Sequence, residues 1–156
     1  MLNNFTDLSI IFTKFVYFLT ILKFVGKIPP FLDGEKINCS EKENINEMVI
    51  LNSRSETRRG LWEPFKSTFK ELKAIGSVAY KLGLTAAGRA DIFASLRPKN
   101  EWDICAGNCI INEAGGKLID LNGNTRDYNS PNTLITPGLI AGQVTAVDKT
   151  FSVLGQ

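Results

Sequence analysis

Asp103 follows Trp102 and opens a run, Ile104-Cys105-Ala106-Gly107, that leads on to Glu113-Ala114-Gly115-Gly116. The spacing of that run is helical, small residues fill its first turn, and the glycine pair closes it. An Asp at a helix start is a favoured N-cap, because its carboxylate accepts a free backbone N–H. The same helix end carries partial positive charge and can hold a phosphate. A carboxylate is also a hard oxygen ligand of the kind Mg²⁺ takes. Asp103 could therefore serve a metal ion beside a phosphoester, or simply cap a buried helix. Three more polar groups stand where elements are expected to end. Ser53 and Arg54 follow an apolar run at residues 48–51, and loops just past strand ends commonly bind ligands in α/β sheets. Ser77 can cap a helix with Lys81 one turn later, an arrangement that either holds a phosphate or leaves the lysine in solvent. Arg97 and Lys99 add positive charge just ahead of Asp103.

Composition narrows the chemistry. The 156 residues contain no histidine, which removes the commonest general base and any Ser-His-Asp or Cys-His pairing. The three cysteines, Cys39, Cys105 and Cys109, make a poor zinc set without imidazole. Cys105 and Cys109 lie four apart on one helical face and are expected to be small core residues. An odd cysteine count without framework spacing fits a reducing cytoplasm. The formal net charge of +2 is too small to point to a nucleic-acid polymer as partner. Arg54, Arg58 and Arg59 cluster, but Glu56 sits among them, and the stretch reads as a solvated loop. Any chemistry must come from carboxylates, hydroxyls, amides and basic side chains, with a metal as helper.

The elements that would position these groups alternate. Hydrophobic content of 44% with 22% charged residues is that of a globular chain, long enough to bury a core. Leu32-Asp33-Gly34-Glu35 carries the Asp-Gly signal of a hairpin end. Residues 40–47 are charged and expected at the surface. Strands are expected at 48–51, 72–75, 90–96 and 117–121, with short ones at 133–135 and 139–141. Trp62 and Phe65 should pack, and Pro64 can start a helical turn. Val78, Leu82, Thr85 and Ala86 form one stripe of a helix that Gly88 can terminate. Asn122-Gly123 is a turn, and residues 143–154 can form a last helix. Strand, helix, strand, helix is the pattern of an α/β layer. Residues 1–28 differ from the rest. Positions 8–25 are apolar apart from Lys14, Lys23 and a few hydroxyls, about long enough for a bilayer, although a central lysine costs a few kcal/mol there. A membrane-inserted helix, a buried element or a segment foreign to the domain are the open readings.

Trp102-Asp103-x-x-Ala106-Gly107 followed by Glu113-Ala114-Gly115-Gly116, with Ala87-Gly88-Arg89-Ala90-Asp91 upstream, resembles the C-terminal half of the inositol monophosphatase superfamily. Residues 31–37 and Ser53-Arg54 also look like family positions, so the resemblance covers roughly residues 31–142. It implies a layered αβα fold, a mixed sheet flanked by helices, and Mg²⁺-dependent hydrolysis of a small phosphate monoester. By resemblance Asp103 is a metal ligand, and Ser53, Ser77, Lys81 and Arg97 face the substrate. Lys81 resembles a phosphate-contacting lysine of the 3'(2'),5'-bisphosphate nucleotidase branch, which inositol monophosphatases typically lack. The family's first motif, Asp-Pro-x-Asp-Gly-Thr/Ser, and its upstream Glu-Glu pair are not found in the sequence. The expectation is an incomplete domain over residues 29–156 behind a non-matching segment 1–28. Its catalytic set is incomplete, and it should have little or no activity alone. Two readings from other classes stand beside this one: a non-catalytic remnant or binding module, and a protein anchored to a membrane through residues 8–25.

Overall fold

The structure, a computed structural model, describes residues 29–155. The apolar stretch at 8–25 lies outside them. Among the described residues no helix is long and apolar enough to cross a membrane.

Among the described residues, nine strands and four α-helices follow in order. A two-stranded hairpin, β1 (Phe31–Leu32) and β2 (Glu35–Lys36), turns at Asp33 and Gly34. Both turn residues have positive φ, 54° and 87°, as an Asp-Gly hairpin turn requires. Strand β3 (Val49–Ser53) runs into the short helix α1 (Arg54–Arg58), and β4 (Glu71–Ile75) is followed by α2 (Val78–Ala86). Strand β5 (Ile92–Ser95) and the short β6 (Lys99–Asn100) precede α3 (Glu101–Glu113). Strand β7 (Gly116–Asp120), the short β8 (Leu134–Ile135), β9 (Leu139–Gln143) and α4 (Val144–Leu154) complete the chain. The main sheet has the order β4-β3-β5-β9-β7. Strand β3 is parallel to both β4 and β5, while β9 is antiparallel to β5 and β7. Strand β8 pairs with β6 in a separate ribbon.

Successive strand residues divide between two apolar layers, as the two-residue period of a sheet dictates. Leu51, Phe93, Leu118 and Ala141 face one layer, where Leu82 and Ala86 of α2 and Ile104 and Ile111 of α3 pack. Ile50, Ile92, Ile119 and Ile140 face the other, with Ala146, Val147 and Leu154 of α4 and with Met48, Trp62 and Phe69. The architecture is the mixed-sheet αβα layering expected from the sequence. Trp62 and Phe65 meet edge to face at 6.0 Å, and Pro64 sits in a one-turn 3₁₀ helix, Glu63–Phe65.

Three expectations are corrected here. Residues 54–58 form a helix rather than a solvated loop, and Glu56 within it is buried. Cys105 is exposed and Cys109 only half-buried, because α3 buries the face of Ile104, Gly107, Asn108 and Ile111. The i,i+4 spacing places both thiols on one face but does not say which face is inward. Asn100, not Asp103, occupies the N-cap of α3, and Asp103 is an exposed residue of its first turn.

Gly88 ends α2 with φ 64°, and a Cβ there would stand 2.9 Å from the Asn38 carbonyl oxygen. Backbone strain and the clash add, so Gly88→Ala should lose about 2 kcal/mol in urea denaturation. An unchanged midpoint would show that the segment through Asn38 yields freely.

Candidate functional site

Parallel strands deliver their carboxyl ends to one edge of the sheet. Ser53 ends β3 opposite Ile75 of β4, with Gly76 and Ser77 immediately after. Strand β5 ends at Ser95, and Arg97 and Lys99 follow.

Helix α2 starts at this edge. Ser77 is its N-cap, and its Oγ accepts the Tyr80 N–H at 3.3 Å. The φ of Ser77 is 60°, a left-handed value rare outside glycine. One turn on, Lys81 points into the protein. It is 2% exposed, its Nζ donates to the Asn52 carbonyl oxygen at 3.3 Å, and it stands 4.5 Å from the Phe93 ring centre. The solvated alternative for Lys81 is therefore overturned. Burial pulls its amine down from 10.5 to about 8; Glu56 opposes that fall, and Lys99 and Arg54 add to it. Asn52 is fully buried, its Nδ2 donating to Thr57 Oγ1 at 3.2 Å while its Oδ1 has no partner among the described residues.

Glu56 holds the neighbourhood together. Its carboxylate accepts Trp62 Nε1–H at 2.9 Å, Ser95 Oγ–H at 2.6 Å and the Leu96 N–H at 3.2 Å. Lys99 Nζ lies 3.7 Å away. Burial lowers the Lys99 amine, while Glu56 and Asp103 counter it and Arg97 assists it. Lys99 thus links the strand-end group to the first turn of α3.

Of the residues singled out in the sequence, Ser53 is half-buried, with its Oγ 2.9 Å from Ser55 Oγ and no part in capping α1. Arg97 is exposed, without an ion-pair partner among the described residues. The Arg54 guanidinium lies across Gly76, where a Cβ would force it to shift. Lys81 thus feels the positive charges of Arg54 and Lys99 as well as the carboxylate of Glu56. Asp91, part of the upstream segment, does not join them. It sits before β5, where it accepts Ser40 Oγ–H, Lys42 Nζ at 3.3 Å and the Val49 N–H at 2.7 Å. An open hollow of about 440 Å³, lined by Arg54, Thr57, Arg58 and Ala74, shares Arg54 with the group but includes none of Ser77, Lys81 or Asp103.

The start of α3 is fixed by a second buried carboxylate. Glu101 accepts Arg126 Nε at 2.9 Å on one oxygen and the Asn129 N–H at 2.9 Å on the other. Burial would raise its pKa, but these donors outweigh burial and hold it below the usual carboxylate range. The loop from β7 to β8 is thereby strapped to the turn that carries Asp103. Glu56, Asn52, Ser95 and Glu101 were not singled out by the sequence. Glu56 lies 39 positions from Ser95 and Glu101 lies 25 from Arg126, so no local spacing could have paired them.

The model of the inositol monophosphatase family matches residues 23–150. The chain belongs to that family. The fructose-1,6-bisphosphatase/inositol-1-monophosphatase of Thermotoga maritima is 33% identical over 118 residues, which are 75% of this chain and 46% of that protein. The 3'(2'),5'-bisphosphate nucleotidase CysQ of Salmonella typhimurium is 32% identical over 91 residues, 58% of this chain and 37% of its own length. A solved Thermotoga maritima IMPase superposes with a TM-score of 0.66 at 29% identity, covering 80% of this chain and 46% of that one. This inositol monophosphatase-family chain thus spans less than half the length of these relatives.

Proposed function

We propose that this chain forms the phosphate-facing wall of a Mg²⁺-dependent phosphomonoesterase, with a 3'(2'),5'-bisphosphate nucleotide-like molecule as substrate. The observation that carries the reading is the buried ammonium of Lys81, one turn into a helix whose N-terminus meets the ends of the parallel strands. A buried amine pulled down to about 8, with no ion pair within 4 Å among the described residues, is suited to an anionic ligand. Ser53, Ser77 and Arg97 add donors at the same edge. Four cations, Arg54, Lys81, Arg97 and Lys99, against two carboxylates, Glu56 and Asp103, favour a doubly phosphorylated ligand over a singly phosphorylated one. An inositol monophosphate is the alternative, consistent with the name of the Thermotoga relative.

Asp103 is chemically suited to Mg²⁺, but among the described residues no three acidic or thiol side chains converge on one point. These residues supply one ligand and no complete two-metal centre. We therefore expect little or no turnover from this polypeptide alone, within a domain over residues 29–156 distinct from 1–28. The lack of a carboxylate cluster also favours a second reading, a non-catalytic module that binds a phosphorylated ligand. Three free thiols support work in the reducing cytoplasm.

Calorimetric titration of the full chain separates these readings. Mg²⁺ should bind weakly, and Asp103→Ala should abolish that binding without moving the melting temperature, since Asp103 is exposed. Adenosine 3',5'-bisphosphate should bind several-fold tighter than inositol 1-phosphate, and Lys81→Met should remove that preference. Binding of the bisphosphate that neither Mg²⁺ nor Asp103→Ala affects would favour the non-catalytic module. Failure of both phosphate compounds to bind would sink the phosphate wall itself.

A further inference from the structure

Lys81 and Lys99 reach the strand ends from opposite sides, α2 and β6, and neither has solvent to stabilise its charge fully. Lys81 is 2% exposed and the Lys99 side chain 16%. Two such ammonium groups repel, and each resists burial. Lys81 is faced by Glu56 and Arg54 of α1, by Lys99 of β6, by the Asn52 carbonyl of β3 and by the Phe93 ring of β5. Among these, only Glu56 is negative. Its carboxylate is 1% exposed and is held by donors from three places: the Trp62 indole, the Ser95 hydroxyl and the Leu96 amide. The carboxylate therefore cannot swing away to form a different pair.

We propose that Glu56 is a positioning residue of the phosphate site: a clamped carboxylate that fixes the end of β5 and acts as the shared counter-ion of Lys81 and Lys99, so that both ammonium groups can stand together at the strand ends. Its location has a consequence for ligand binding. Both oxygens of Glu56 accept protein hydrogen bonds, and Lys99 Nζ stands 3.7 Å from one of them, so the carboxylate balances both lysines while making no ion pair within 4 Å to Lys81 among the described residues. The Lys81 Nζ retains donors beyond the one it gives Asn52. The inference rests on the phosphate-site reading for its purpose, but the charge coupling can be measured without any ligand.

Lysine-selective ¹³C labelling of the full chain, with Lys81 assigned through Lys81→Met, gives the titration midpoint of each amine by NMR. Glu56→Gln should move the Lys81 midpoint down by about one unit, since an opposite charge is removed from its surroundings. Ser95→Ala removes one hydrogen bond to the same carboxylate while leaving its charge. It should cost stability and leave the Lys81 midpoint in place, whereas a purely structural role for Glu56 would make the two variants alike. Lys99→Met keeps the test alive if Glu56→Gln does not fold. With its rival cation gone, Lys81 should titrate at higher pH. An unmoved Lys81 midpoint in folded Glu56→Gln, or in Lys99→Met where Glu56→Gln fails to fold, overturns the shared counter-ion. Inorganic phosphate added to the same samples tests the underlying reading separately. If it binds, the pH above which binding weakens should fall in Glu56→Gln along with the midpoint. If phosphate binds no variant while the midpoints shift, the phosphate site fails and the counter-ion stands.

Discussion

Gly107→Val is expected to lose about 3 kcal/mol of stability, the upper end of what overpacking a close-packed core costs. Gly107 is buried in the middle of α3 and faces Leu82 of α2, whose side chain has no exposure. A Cβ placed on Gly107 would lie 2.7 Å from the Leu82 Cβ and 3.0 Å from its Cγ. The first of these atoms is anchored to the α2 backbone and cannot move aside by rotation. Gly107→Ala puts two effects in opposition. Alanine favours an exposed helix interior over glycine by about 1 kcal/mol, whereas the clash costs about 1–3 kcal/mol. At these distances the clash wins, so even alanine should destabilise in urea denaturation. A stabilised Gly107→Ala would show that the two helices separate at little cost. Leu82→Ala alone should lose about 2–5 kcal/mol through the cavity it leaves. Combined with Gly107→Ala it should lose clearly less than the sum, because the new methyl occupies space that Leu82 vacates. The function should follow the packing. Helix α2 carries Ser77 and Lys81 and α3 carries Asp103, so prying these helices apart should weaken bisphosphate binding more than the stability loss alone explains.

The layered fold was legible because its signals are local. The stripe of Val78, Leu82, Thr85 and Ala86 and the strand runs of β5 and β7 need only a window of ten residues, and the structure places a helix and two strands there. The Asp33-Gly34 turn and the Gly88 terminus follow from backbone preference alone. The candidate site was legible only in part. Its location at strand ends followed from the order of elements, and Ser77 does cap its helix. What escaped was the burial of charge. Glu56 lies in Arg54-Ser55-Glu56-Thr57-Arg58, a stretch whose composition reads as solvated. It is buried because Trp62, Ser95 and Leu96 bring donors from elsewhere in the fold to satisfy its carboxylate. Lys81 is buried for a related reason, with an aromatic face and a carbonyl oxygen waiting on β5 and β3. The start of α3 was misplaced by three residues, since Asn100, Glu101 and Asp103 are all acceptable near a helix N-terminus. Tertiary bonds from Arg126 and Asn129 to Glu101 pin down which of them enters first.

Lys81→Met should change how stability depends on pH, and the direction follows from burial. The Lys81 amine falls to about 8 in the fold from 10.5 when exposed, chiefly through desolvation. Between those values the unfolded chain binds the proton and the folded chain does not, so stability rises with pH across that window. Below about pH 8 the folded protein carries a charged buried lysine and bears the full penalty. Relative to Lys81→Met, the unmutated chain should gain about 3 kcal/mol between pH 7 and pH 10.5, as the size of the shift dictates. Two other buried groups act in the opposite sense. Burial raises the Cys39 thiol from 9.0 to about 11 and the Tyr128 phenol from 10.0 to about 12, so both resist ionisation in the fold and reduce stability as pH rises through their windows. Burial also lowers the Lys99 amine, which acts in the same sense as Lys81, so the raw stability curve of the chain mixes all four. Cys39 and Tyr128 are common to both proteins and cancel, so the difference between the two curves reads Lys81 together with its coupling to Lys99. Urea denaturation at pH 7, 8, 9 and 10 measures that difference. A difference that is flat or falls with pH would mean that Lys81 is solvated and charged in the fold. The phosphate wall would then lose the observation it rests on. A difference that rises, together with loss of bisphosphate binding in Lys81→Met, would identify one buried amine both as a cost to the fold and as the cation that the ligand relieves.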